Sequence, residues 1–359
     1  MTMTQQTELK VKDLHPKTWE NPLTLDGAEF LEFAGPEAKD LHQLMILLGF
    51  SKVAIHKSKP VTLYRQGGVQ FIINESPNSF ASDFSSHHGP SICALALKVE
   101  NGKKAFDVAL ARGATPYVNR RDTGRFPAIY GIGNAVVYFV DKDADKIYKD
   151  DFNFITKDEK PKGFGLRYID HMTNNVPVHE MQKWCDFYET IFNFKETRFF
   201  NIKGATTGLI SKVMSSPCGK LAIPINEPTD KKSQIQEYLD EYHGSGIQHV
   251  ALGTDNIVES VTKLRQQGVQ FLDVPDSYYD MLKVRLPQVT EDIEALKKLK
   301  IIVDGDQKGY LLQIFTKNLC GPIFIEIIQR KGHDGFGEGN FQALFDAIER
   351  DQRERGYLD

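Results

Sequence analysis

Short apolar runs of strand length, each followed by a segment with helical spacing, recur along this chain in an order that repeats. From His88 the sequence reads HGPSICALALKVENGKKAFDVALARGATP, and from His243 it reads HGSGIQHVALGTDNIVESVTKLRQQGVQF. The two align without a gap. Each opens on His-Gly, passes through an apolar strand and enters an amphipathic helix that stops at a glycine, Gly113 or Gly268. A glycine just past the last turn is a helix-stop signal. A looser match pairs FLEFAG around Phe33 with YIDHMTN around His171. Each is followed by a helical stretch and a hydrophobic end, LLGF at 47–50 and IFNF at 191–194. AVVYFVDK (135–142) resembles PIFIEIIQRK (322–331).

Each half thus reads strand, helix, several strands, strand, helix, strands. The period is far longer than the roughly 20–50 residues of a solenoid, so this is a domain duplication. The pattern predicts an α+β protein with a loose arm over 1–20, a first domain over 21–150, a charged connector over 151–165 and a second domain over 166–359.

Composition narrows the function classes. A length of 359 residues suits two domains at roughly 100–200 residues each. The net charge is -4, from 44 basic and 48 acidic residues. That balance predicts neither a nucleic-acid nor a membrane-surface partner. The four cysteines form no CxxC pair, which argues against a zinc ribbon or thioredoxin-type motif and fits a reducing, cytoplasmic setting. The N-terminal stretch is polar and reads as no signal peptide. No apolar run reaches the length of about 18 residues that a transmembrane helix needs.

The repeat also exposes candidate chemistry. His171 aligns with Phe33, His249 with Ala94 and Glu326 with Tyr138. All three potential ligands lie in the second half, and the first half replaces each with a non-ligand. Glu326 sits between Ile325 and Ile327, where an ionised carboxylate is costly unless paired or metal-bound. Gln329, Arg330 and Lys331 read as the start of a polar stretch beyond it. Two imidazoles and a carboxylate on one octahedral face favour non-haem Fe(II) and leave three positions open. A 2-oxo acid would take two of them and oxygen the third. Each residue also has a plainer explanation. A single strand histidine is more often a hydrogen-bonded core or edge residue, and Glu326 could pair with a buried arginine. The joint pattern favours the metal.

Longer stretches carry a resemblance. NPLTLDGAEFLEFA, LYRQGGVQFIINE, IDHMTNNV, IPINEP, SQIQEYL, GIQHVAL, LLQIFT, GPIFIEIIQRKG and GFGEGNFQALFDAIERDQ are similar to the bacterial 4-hydroxyphenylpyruvate dioxygenase family along nearly the whole chain. The resemblance implies the vicinal-oxygen-chelate fold, with paired βαβββ modules curled into half-open barrels and a C-terminal lid helix. It implies Fe(II) on His171, His249 and Glu326, and the conversion of 4-hydroxyphenylpyruvate and O2 into homogentisate and CO2 in tyrosine breakdown. It places Ser211, Asn226, Gln234, Gln248, Gln313, Phe315, Phe324, Phe341 and Phe345 around the substrate, and Gly337 and Asn340 in the lid loop. Gln313 with Phe315, and Phe324 with Glu326, alternate and so share faces. Gln248 adjoins His249, and in a regular strand the two would face opposite ways. Phe345 reads equally as pocket or core. GFGEG lacks the strand and downstream acid of a dinucleotide loop. The resemblance also implies a homodimer or homotetramer. The competing readings are 4-hydroxymandelate synthase, an extradiol catechol dioxygenase and a non-catalytic binding module.

Overall fold

The computed structural model describes residues 19–118, 126–203 and 206–358. Most of the expected N-terminal arm, residues 1–18, lies outside the described residues. The described strands form two sheets of eight. The first contains β1 (Leu25–Ala34), β2 (Ser51–His56), β3 (Val61–Gln66), β4 (Val69–Asn74), β5 (Ser91–Val99), β6 (Ala128–Tyr130), β7 (Val136–Asp141) and β8 (Phe152–Phe154), in the order β6-β7-β5-β1-β4-β3-β2-β8. The second contains β9 (Leu166–Asn175), β10 (Lys195–Lys203), β11 (Gly208–Ser215), β12 (Ala222–Pro228), β13 (Gly246–Thr254), β14 (Ile302–Asp306), β15 (Gly309–Phe315) and β16 (Phe324–Lys331), in the order β10-β11-β12-β9-β13-β16-β15-β14.

Each half is two units. Within a unit the first strand runs parallel to the last: β1 with β4, β5 with β7, β9 with β12, β13 with β16. The units join antiparallel through their first strands, β1 with β5 and β9 with β13. The first unit of each half shows the βαβββ order, and the last unit has three further short helices between its helix Ile257–Gln266 and β14. Over 91–141 the described residues show β5, a helix, β6 and β7, plus an isolated bridge from Pro116 to Ile129.

The repeat extends to helix ends. Asn101 and Asn256 cap helices Gly102–Ala111 and Ile257–Gln266 by accepting from the Lys104 and Glu259 amides. Such caps satisfy donors that a first helical turn leaves free. Gly113 and Gly268 follow the last turns with φ of 97° and 99°, as the sequence predicts. In helix Met181–Phe192, the buried residues Met181, Cys185, Tyr188, Ile191 and Phe192 form the inward stripe that pays for its docking.

The two sheets differ in what fills one face. In the first, Phe30, Leu63, Ile72, Ala96, Tyr148 and Phe152 form an apolar cluster. Tyr148 comes from helix Ala144–Asp151, and β8 pairs with β2. Residues 152–154, read from the sequence as connector, are thus part of the first sheet.

Strand pairing also revises one register. In the second sheet Ala251 of β13 lies opposite His171 of β9 and Glu326 of β16. In the first, Ala96 of β5 lies opposite Phe30 of β1 and Tyr138 of β7. The ungapped match of His249 with Ala94 makes Ala251 and Ala96 equivalent. Tyr138 therefore occupies the place of Glu326, as expected. The counterpart of His171 is Phe30, not Phe33. Irregularities interrupt both ladders, one of them between Glu32 and Phe33, so local sequence likeness drifts from spatial register. Phe33 instead packs edge-on against Phe71 in the main core, at 5.0 Å.

The halves meet closely at Gly133, in the short turn Ile132–Asn134. Its φ is 63°, and a Cβ there would overlap the Ser245 carbonyl of the other half. Gly133→Ala is expected to cost about 2–4 kcal/mol of stability, measured by urea denaturation. A change below about 0.5 kcal/mol, the usual surface value, would show that this approach is not required.

Candidate metal centre

His171, His249 and Glu326 come from three neighbouring strands, β9, β13 and β16. Side chains alternate along a strand, and residues opposite each other across a ladder share a face. His171 and Glu326 flank Ala251, and His249 lies two positions before it. All three therefore project from one face, and the alanine methyl leaves room between them. Glu326 Oε2 lies 3.2 Å from His171 Nε2 and 3.5 Å from His249 Nε2. Among the described residues this is the one group of three His, Cys, Asp or Glu with ligand atoms within 4.8 Å of one another. Adjacent corners of an octahedron with bonds of about 2.1 Å stand about 3.0 Å apart. The spacing and the mixed nitrogen and oxygen donors fit a divalent metal.

The surroundings orient each donor. The His171 Nδ1–H donates to Asp170 Oδ1 (2.8 Å). The His249 Nδ1–H donates to Gln248 Oε1 (3.3 Å), and Thr173 Oγ1 lies 3.0 Å from His249 Nε2. Phe324 stacks on the His249 ring (4.7 Å, 20°), and Phe336 meets the His171 ring edge-on (5.2 Å, 70°). Arg330 donates from Nε and Nη2 to the two oxygens of Asp170, at 2.7 and 2.8 Å. The buried arginine that the sequence allowed as a partner for Glu326 is present, but it pairs with Asp170. Gln329 is buried too and accepts from the Ile257 amide. The polar stretch that starts at Gln329 thus begins inside β16, with Gln329 buried and Arg330 largely covered.

Charge follows from these contacts. Burial alone would push the Glu326 carboxyl up, but His171 and then His249 hold it below its usual value. Burial alone would lower His171, but Glu326 and Asp170 raise it to about 9. Burial lowers His249. Without a metal, then, His171 carries the proton that offsets Glu326.

The other expected residues distribute as follows. Ser211 and Asn226 lie opposite each other on β11 and β12, both buried. Asn226 donates to Asn175 Oδ1 (3.1 Å). Gln313 is 1% exposed, and neither its Nε2 nor its Oε1 has a protein partner. A buried orphaned amide costs about 1–3 kcal/mol, so it suits a polar ligand. Phe315 lies opposite Glu326 and meets the His249 ring at 6.2 Å. Gln234, Gln248 and Phe324 line a cleft of about 50 Å³ bordered by Ile348, Asp351 and Arg355 of the C-terminal segment. A register shift between Ile247 and His249 breaks strict alternation, so Gln248 reaches this cleft although it adjoins His249.

Helix Phe341–Glu354 lies across this side of the second sheet. Phe341 meets Phe200 of β10 edge-on (4.9 Å). Phe345 is buried in the main apolar cluster, where packing accounts for it. Glu349 accepts from the Thr206 and Thr207 amides, and Arg355 pairs with Glu237. At the start of the helix Asn340 Oδ1 accepts from the Tyr278 hydroxyl (2.6 Å). Gly337 has φ 81° and lies against the Gln313 amide, leaving no room for a Cβ. Sequence reasoning missed Asp170, Thr173, Asn175, Phe200, Arg330 and Phe336. Asp170 was findable, since the burial cost argued for Glu326 applies equally to an acid in the apolar run before His171.

Known proteins match this arrangement. Residues 19–153 match the family described as hydroxyphenylpyruvate dioxygenase, N-terminal, and residues 168–313 match the glyoxalase/bleomycin resistance protein/dioxygenase superfamily. The chain is 52% identical over 342 residues to a 4-hydroxyphenylpyruvate dioxygenase of Legionella pneumophila, covering 94% of this chain and 98% of that one. The chain belongs to the 4-hydroxyphenylpyruvate dioxygenase family. Another relative so described, from Pseudomonas aeruginosa, is 46% identical, with 94% of this chain and 97% of that one covered. A solved mutant of 4-hydroxymandelate synthase from Streptomyces coelicolor superposes with a TM-score of 0.80 at 26% identity, covering 91% of this chain and 99% of that one. The family carries the vicinal-oxygen-chelate fold that the two curled sheets display.

The charge state makes a prediction. His171, raised from 6.5 to about 9, stabilises the metal-free fold below about pH 6.5, and that contribution is lost as pH rises through about 9. A metal competes with the same proton, so its affinity should rise across that window. Metal uptake at pH 7 is expected to release about one proton, read by calorimetry in buffers of different ionisation enthalpy. Uptake without proton release would contradict the pairing of His171 with Glu326.

Proposed function

We propose that this member of the 4-hydroxyphenylpyruvate dioxygenase family holds one Fe(II) between His171, His249 and Glu326. There it converts 4-hydroxyphenylpyruvate and O2 to homogentisate and CO2. The observation that carries the reading is the buried Glu326 carboxylate, whose Oε2 faces two imidazole nitrogens at 3.2 and 3.5 Å. When bound, Fe(II) supplies open coordination positions and the redox chemistry that O2 requires. Both oxygen atoms of O2 appear in the products and the 2-oxo acid supplies the electrons, so no separate reductant is needed.

The chain's own residues do the rest. Glu326 would offset one unit of a bound Fe(II) charge, and the substrate carboxylate the other. His171 would give up its Nε2 proton to serve as a donor. Gln313, Ser211 and Asn226 offer uncharged hydrogen bonds that suit a phenol and a metal-held carboxylate. Phe315 and Phe324 wall the site and keep it dry. Helix Phe341–Glu354 closes over it as a lid, with Gly337 and Asn340 at its base.

Among the described residues no helix is long and apolar enough to cross a membrane. The four cysteines are free, which supports a reducing, cytoplasmic location. The same reading includes a homodimer or homotetramer, with sedimentation analysis as its check.

Homogentisate and 4-hydroxymandelate are isomers, so mass alone does not separate the two products. Chromatography after incubation with Fe(II), 4-hydroxyphenylpyruvate and air should show homogentisate with one CO2 per turnover. 4-Hydroxymandelate would favour the benzylic reaction of the relative at 26% identity. Glu326→Ala should lose stoichiometric iron and turnover together; full retention of both would refute the triad. For the lid, Phe341→Ala should lower turnover about threefold to tenfold, the scale of one aromatic contact, with iron content unchanged. Equal loss of iron and turnover would point to a structural role.

A further inference from the structure

Next to the three proposed ligands lies a second group whose geometry the reaction itself does not explain. Asp170 is fully buried, in the apolar strand β9 directly before His171. Its Oδ1 accepts from His171 Nδ1 at 2.8 Å. Arg330, whose side chain is 7% exposed, grips both Asp170 oxygens through Nε and Nη2. The remaining donor, Nη1, reaches the carbonyls of His333 (3.1 Å) and Gly335 (2.6 Å). The guanidinium also lies over the Phe336 ring, at 5.5 Å, and that ring touches His171. One loop, residues 333–336, therefore holds His171 twice: directly through Phe336, and through Arg330 and Asp170.

We propose that Asp170 and Arg330 are positioning residues that fix the His171 imidazole for metal binding. The proposal rests on the reading of His171 as a ligand. Arg330 donates to both Asp170 oxygens and so holds them as acceptors. A carboxylate oxygen accepting at Nδ1 places the ring proton there. Nε2 is then the donor left for the metal, and it is the nitrogen that faces Glu326. Hydrogen bonding to a carboxylate also makes the ring a stronger donor. His249 has only the neutral Gln248 amide at its Nδ1, at 3.3 Å, so the two imidazoles are supported unequally. Stability alone explains the pair poorly, because a buried ion pair is often no better than apolar residues of the same volume.

The test uses Co(II) as the metal probe and the full chain without substrate, with affinity measured by chelator competition. Asp170→Asn keeps the volume but removes the charge. It is expected to weaken Co(II) binding by about 10–100-fold and to alter the Co(II) ligand-field spectrum, with the metal-free circular dichroism unchanged. Arg330→Lys keeps the charge and loses the fork. It should retain more affinity than Arg330→Met, a graded rescue that mere filling of space would not give. A folded Asp170→Asn protein that binds Co(II) within twofold of the parent overturns the proposal. If Asp170→Asn does not fold, the arginine pair decides: equal affinity in Arg330→Lys, Arg330→Met and the parent overturns it. A Glu326→Ala control separates the two levels. If it binds Co(II) as the parent does, the ligand assignment itself fails. If it loses Co(II) while the Asp170 and Arg330 variants do not, only the positioning role fails.

Discussion

A carboxylate buried among isoleucines is the constraint from which the second half of this molecule is best understood. Glu326 is 3% exposed and flanked on β16 by Ile325 and Ile327. Its charge needs an opposite charge at close range. Arg330 on the same strand is committed to Asp170. Two imidazoles remain, and together with the carboxylate they form a donor set for a divalent cation. The apolar strands around the site and the aromatic rings against each histidine reduce access of water to that charge.

The duplication makes the same point by contrast. Both halves present a small alanine on their central strand, Ala96 and Ala251, with a residue opposite on each side. In the first half these are Phe30 and Tyr138, with ring centroids 6.0 Å apart. A helix and a short strand close the face with Tyr148 and Phe152. In the second half the same positions hold His171 and Glu326. One scaffold thus buries either an aromatic plug or a polar group of imidazole and carboxylate, and the side chains at matched positions make the difference.

Much of this was legible in the sequence, and the limits have physical causes. The ungapped repeat from His88 and His243 singled out His249 and both glycine stops, while the asparagine caps emerged only from the fold. Burial cost identified Glu326, and strand pairing agrees with its match to Tyr138. The match of His171 to Phe33 slipped by three because irregular ladder positions do not show in one-dimensional likeness. The same kind of irregularity lets Gln248 reach the cleft beside His249. Asp170 stands inside an apolar run and was open to the same burial argument as Glu326, but Arg330, far away in sequence, alone resembles an ordinary charged residue near a strand end. Only the fold brings them together behind His171.

The central claim concerns which atoms surround the metal, so the most direct measurement is X-ray absorption on the Fe(II)-loaded chain. The account predicts one iron per chain with nitrogen and oxygen donors near 2.0–2.2 Å, by analogy with other imidazole and carboxylate sites, to about ±0.2 Å. Outer-shell scattering should correspond to two imidazoles and should drop to one in His249→Ala. A sulfur shell, or a parent spectrum without imidazole scattering, would contradict it.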